Sequence, residues 1–198
     1  MKTLKITILL IVAVTMSVTA QEINDVQQKK TQPRFGIKGG LNVANEGTIS
    51  HGAFPEYRIG LHLGGFMEYA VSNKVDIQPE LLYSMQGGRF GDNTLKLDYI
   101  NIPVIFKIYV NQARRFSIDV GPKLGYMINA KIAFWYGTVD LSDYSDYNKI
   151  DGAVCLGASY KFNPNFHINL RGNIGVTKIE SDRDDVNWLW QLGIGYVF

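Results

Sequence analysis

A single cysteine, Cys155, is all the chain contains. No internal disulfide can form, so a small scaffold stapled by bridges is excluded, and no partner near it in sequence argues for a metal site or a nucleophile. Excess charge is missing too: 20 Lys and Arg face 18 Asp and Glu, and without Lys2 and Lys5 the basic residues fall to 18, equal to the acidic ones. That is not the footprint of a nucleic-acid binder, and none is expected as a partner. Also missing is a continuous apolar run of the roughly 20 residues that a membrane-spanning helix needs. The run from Ile6 to Val14 is shorter, follows Lys2 and Lys5, and precedes the small residues Val18 and Ala20. This order predicts a secretory signal peptide over residues 1–20, with no cysteine beside the cleavage point to carry a lipid anchor. Residues 21–33 are polar and aperiodic and read as a flexible periplasmic leader. Residues 34–198 then form one domain.

Helical periodicity is absent from that domain, whereas alternation of apolar and other residues recurs. Eight segments qualify as strands, at approximately 34–44, 57–71, 74–86, 94–110, 115–132, 150–162, 165–177 and 187–198. One parity of each is apolar and nearly free of charge, as in the closing stretch with Trp188, Trp190, Leu192, Ile194, Tyr196 and Phe198. The other parity carries Lys38, His62, Glu68, Asp76, Glu80, Lys107, Asp119, Lys123, Asn129, Lys131, Asp151, Lys161, His167 and Arg171. A soluble barrel with its apolar face inward shows the same period, so alternation alone leaves two readings.

Three observations favour an apolar face turned to lipid. The connections alternate between short (72–73, 111–114, 163–164) and long (45–56, 87–93, 133–149, 178–186), the layout of an outer-membrane barrel with its short turns and both termini in the periplasm. Threaded that way, Phe35, Tyr69, Phe116, Tyr160, Phe162, Phe166, Tyr196 and Phe198 fall at one end of the apolar face, and Tyr83, Tyr126, Trp188 and Trp190 at or near the other. A bilayer sorts amphipathic rings into two such girdles. The segments are also long enough for tilted strands to cross the hydrocarbon layer, and closure removes edges that lipid could not satisfy. The expected fold is an all-β, eight-stranded antiparallel up-and-down transmembrane β-barrel. Pro79, Pro103 and Pro122 sit awkwardly within its strands, each expected to need a bulge or a substitute partner.

The stretches RFGIKGGLN, IQPELLYSMQG, LDYINIPVIFK, GPKLGYMI and LGIGYVF resemble the PorT-like outer-membrane β-barrel proteins of Bacteroidetes-type bacteria. The resemblance covers 34–198, with Pro79-Glu80, Asn101-Ile-Pro103 and the aromatic last residue as its most specific marks. It implies a Gram-negative outer-membrane location and, for Phe198, the end of the signal read by barrel-insertion machinery.

The interior of an eight-stranded barrel is just filled by side chains. The luminal charges (Lys38, His62, Glu68, Asp76, Glu80, Lys107, Asp119, Lys123, Asp151, Lys161, Arg171) are therefore expected to pair in a web that plugs it. A small pore is the alternative. A lipid-modifying enzyme would need a Ser and His at the lipid-facing rim, but His62 and His167 read as luminal, His51 lies in a loop, and no Ser-containing motif surrounds them. A soluble lipocalin-like carrier would need an apolar lumen. No cofactor or metal is expected. The remaining candidate is the segment 134–151, with Trp135, Tyr136, Asp140, Asp143, Tyr144, Asp146 and Tyr147, whose aromatics and acids suit a surface ligand or partner although their spacing is not a calcium loop. The acidic stretch 180–187 is expected simply to be exposed. The overall expectation is a monomeric, non-catalytic barrel with a structural or surface-interaction role.

Overall fold

The computed structural model describes residues 32–45, 56–140, 149–178 and 186–198. Nine strands run in chain order: β1 Arg34–Asn45, β2 Glu56–Ala70, β3 Val75–Phe90, β4 Asn93–Tyr109, β5 Phe116–Phe134, β6 Gly137–Asp140, β7 Ile150–Lys161, β8 Phe166–Lys178 and β9 Val186–Val197. All pairings are antiparallel, and the ladder runs from β4 back through β3, β2 and β1 to β9, β8, β7 and β5. β4 also pairs with β5, closing eight strands into a barrel, while β6 only folds back on the outer end of β5. At the seam Phe198 N donates to Phe35 O at 2.9 Å, so the last residue is tied to the first strand.

Three tight turns gather at one end, each held by a polar side chain. Ser72 Oγ accepts from Lys74 N and Val75 N. Asn163 Oδ1 accepts from Asn165 N and Phe166 N. In the turn after β4, Asn111 Oδ1 accepts from Arg115 N, and Arg114 takes a left-handed φ of 52°. These are the local bonds that make Ser and Asn good turn residues. The start of β1 and the end of β9 lie at this same short-turn end.

The opposite end differs from expectation. Residues 87–93 are not a long loop: β3 and β4 continue to the pair Phe90 and Asn93 around a two-residue turn, Gly91-Asp92, where Gly91 supplies φ 59°. The segment 133–149 likewise contains a strand, since Lys131–Phe134 pairs with Gly137–Asp140. Asn129 and Lys131 do not lie on the luminal face. A bulge at Ile128, between the pairs Tyr99 with Met127 and Asp98 with Asn129, shifts the alternation by one residue. Met127, just before it, and Ala130, which it turns inward, join Leu95, Leu97 and Tyr99 in a small apolar cluster. Asn129 instead bonds Asp98 at 2.9 Å on the outer side.

The prolines need no bulge. Pairing lapses for two residues between β2 and β3 at Pro79, between β3 and β4 at Pro103 and between β4 and β5 at Pro122, and each ladder resumes in unchanged register. Each proline thus costs one local gap toward the preceding strand, and the missing donors step diagonally across three neighbours.

Candidate functional site: the luminal network and the outer hairpin

Side chains of the inner parity fill the barrel in tiers. Nearest the short turns, Glu68 Oε2 accepts from Arg34 Nη2 at 2.6 Å and from Lys161 Nζ at 3.0 Å. Asp76 accepts from Tyr109 OH at 2.9 Å and from Arg114, which also reaches the carbonyls of Ser72 and Asn73. The Arg114 guanidinium lies 4.4 Å from the centre of the Tyr109 ring, so a cation over an aromatic face closes this mouth.

In the middle tier Arg171 grips Glu80 with two nitrogens at 3.0 and 2.9 Å, and Lys38 Nζ and Gln78 Nε2 add contacts at 3.2 and 2.7 Å. Two parallel bonds from one guanidinium are the strongest form of this pairing. Alongside, Asp119 accepts from Lys107 Nζ at 3.2 Å, from Ser117 Oγ at 2.7 Å and from Ser159 Oγ. Next toward the long-loop end, Lys123 meets Asp151 at 2.7 Å. There Asn42 Oδ1 bonds His62 Nδ1 at 2.8 Å and accepts from Gln191 Nε2 at 3.1 Å. Asn42 Nδ2 donates to Ser84 Oγ, and Cys155 Sγ lies 2.9 Å from Asn173 Oδ1. The apolar cluster around Leu97 and Tyr99 lies beyond this tier.

Water is nearly excluded from this web: Lys107, His167 and Arg171 are each 1% exposed. All eleven charged or histidine side chains singled out in the sequence for the lumen are buried. Three further inward aromatics lie outside that set. Phe66 packs edge-on against His167 with ring centres 5.5 Å apart, Tyr109 serves Asp76, and Tyr99 enters the apolar cluster. Their parity was the available signal, since each lies an even number of residues from a luminal charge on its own strand.

The outer surface is apolar. Phe35, Tyr69, Phe116, Tyr160, Phe166, Tyr196 and Phe198 are exposed at the short-turn end, where Phe166, Tyr196 and Phe198 pack in sequence with centres 4.8 and 5.7 Å apart. Trp188 and Trp190 are exposed at the other end, level with Ile174 and Gly172 of β8. At the tip of the β5–β6 hairpin the turn itself is Trp135-Tyr136, with Trp135 86% exposed, and Tyr136 stacks on Phe134 at 5.4 Å. Asp140 is exposed in β6, and Asp143, Tyr144, Asp146 and Tyr147 lie outside the described residues, as do His51 and segments 1–31 and 179–185. Among the described residues no three His, Cys, Asp or Glu side chains converge on a metal position.

The arrangement can resist lipid outside and water inside: its inner charges are paired with one another, while both ring nitrogens of His167 and Nε2 of His62 are buried without a hydrogen-bond partner among the described residues. The family model for the outer membrane protein beta-barrel domain matches residues 20–181. Among solved structures, Neisserial surface protein A aligns with a TM-score of 0.60 at 15% identity, covering 85% of this chain and all of that one. Ail, the attachment invasion locus protein of Yersinia pestis, aligns with a TM-score of 0.52 at 18% identity over the same shares. At such identities the likeness is one of fold. No curated protein matches the chain.

Proposed function

The chain belongs to the outer membrane protein beta-barrel domain family, and from that premise we propose that it is a non-catalytic, monomeric, plugged barrel of the PorT-like kind, acting through its long-loop end. The observation that carries the plugged reading is the clamp of Arg171 and Lys38 on Glu80 at the middle of the lumen, with Arg171 1% exposed. An aqueous channel would leave such groups wetted. The soluble carrier reading is opposed by the same groups, which give an apolar ligand nothing to contact. A lipid-modifying reading is opposed by His62, whose Nδ1 is engaged by Asn42 deep in the wall rather than by a hydroxyl at the rim.

Both termini are periplasmic in this proposal, since they share an end with the three short turns. The long-loop end then faces outward, where Trp135 and Tyr136 stand clear of the barrel as a contact point for a surface ligand. Tyr126 to Phe134 is eight strand steps, roughly 25 Å at 3.3 Å per residue, so these rings lie above any lipid interface that Tyr126 marks. Phe198 is the terminal contact for insertion machinery, supported by its exposure on the lipid-facing side.

The deciding experiment is reconstitution of the purified protein into a planar bilayer, with a parallel gel of boiled and unboiled samples. The expected result is a heat-dependent shift in migration without steady conductance. A heat-shifted protein that conducts would overturn the plug while leaving the barrel intact.

A further inference from the structure

We propose that the outer wall formed by β4, β5 and the start of β7 binds a phosphate-bearing glycolipid of the outward leaflet, with an acyl chain in an apolar groove and its phosphates on Lys96 and Lys131. This rests on the orientation proposed above. The groove has a volume of about 160 Å³ and is lined by Ile100, Ile102, Leu124, Tyr126 and Ile150 around the Gly125 backbone. Its upper margin is a row of the outer face in which Tyr83, Ile100, Tyr126 and Ile150 are successive cross-strand neighbours. Aromatic hydroxyls in that row mark the level where hydrocarbon gives way to headgroups.

Four residues further along β4 stands Lys96, directly opposite Lys131 in the register. Like charges opposed across a ladder repel and weaken it unless something lies between them. The bulge at Ile128 is what brings Lys131 onto this face. Four strand steps are roughly 13 Å along a tilted strand, which sets the two ammonium groups at headgroup height above the groove. Lys149 borders a smaller recess at the rim with Met127, Ile128, Asn129 and Ala130. Two carboxylates share the neighbourhood. Asp98 is held by Asn129, and Asp140 stands 4.0 Å from Lys131. Among the described residues Lys96 has no carboxylate within ion-pair distance. Among the described residues the wall therefore carries Lys96 and Lys131 side by side above an apolar slot, Lys96 without a carboxylate beside it, and a lipid with an acyl chain and a phosphate complements both.

The test is native mass spectrometry of the detergent-solubilised full chain titrated with bis-phosphorylated lipid A, with its dephosphorylated form and with a zwitterionic phospholipid. Wild type is expected to retain the bis-phosphorylated lipid preferentially. Lys96→Ala/Lys131→Ala is expected to lose roughly thirtyfold of that preference, two lysine–phosphate attractions being removed, while Lys74→Ala in a short turn keeps it. Ile102→Ala is expected to weaken all three lipids alike. Equal retention by wild type and the double variant, or no preference for phosphate, overturns the site. Orientation is read separately by labelling a Trp135→Cys variant on intact cells with a membrane-impermeant maleimide, the buried Cys155 being shielded. Labelling together with unchanged lipid retention sinks the lipid site alone, whereas absence of labelling sinks the orientation on which it rests.

Discussion

Glu80 is the residue on which the interior converges, and its neighbours show what a buried charge demands. Removing one partner of a buried pair strands the other, at a cost of about 3–5 kcal/mol, whereas replacing both by apolar groups is often nearly neutral. Arg171→Met should therefore lower stability in urea unfolding from vesicles by up to that amount, and Lys38→Met/Glu80→Leu/Arg171→Met, which leaves no buried charge behind, should recover most of it; a triple variant as unstable as the sum of the three singles would contradict the clamp. Gly195 makes a second argument at this scale. A Cβ there would overlap His167 Cε1, so Gly195→Val must displace a ring already set against Phe66. Overpacking of this kind costs about 1–3 kcal/mol, and adding His167→Ala should relieve it, which a double-mutant cycle measures.

Strands are where the sequence speaks most clearly, because a period of two survives any detail of packing. It separates the outer Ile102 from the inner Asn101 before any partner is known. Ile102→Arg should cost roughly 2–4 kcal/mol of stability in the bilayer, and Ile59→Arg, level with Trp190 near the rim, roughly 0–1. Equal costs at the two positions would mean that depth along the strand has been misjudged. Parity carries a side chain's face but not its partner, which depends on the stagger between strands. That Glu68 meets Lys161 from across 93 positions could not be read from either segment. Nor could the bulge at Ile128, where one unpaired residue reverses the faces of Asn129 and Lys131, or the strand β6, whose Trp-Tyr turn lacks the usual Asn-Gly signal.

For the whole molecule the same tiers predict rigidity. Unfolding must expose ion pairs and the lipid-facing wall together, so a single cooperative loss of the heat-resistant gel form is expected rather than stepwise loosening; two separated transitions would show that the apolar cluster at the long-loop end melts on its own.

The bond from Phe198 to Phe35 also sets an order in time. Gln191 reaches Asn42 across 149 positions, and none of the β1–β9 seam can form until β9 has been made. Until then β1 and β8 must each wait with an open edge, and contacts this distant in the chain are slow to form. For this chain the shape of the seam is a schedule, with the pairing of β9 and Phe198 onto β1 as its closing event and a need for escort until then.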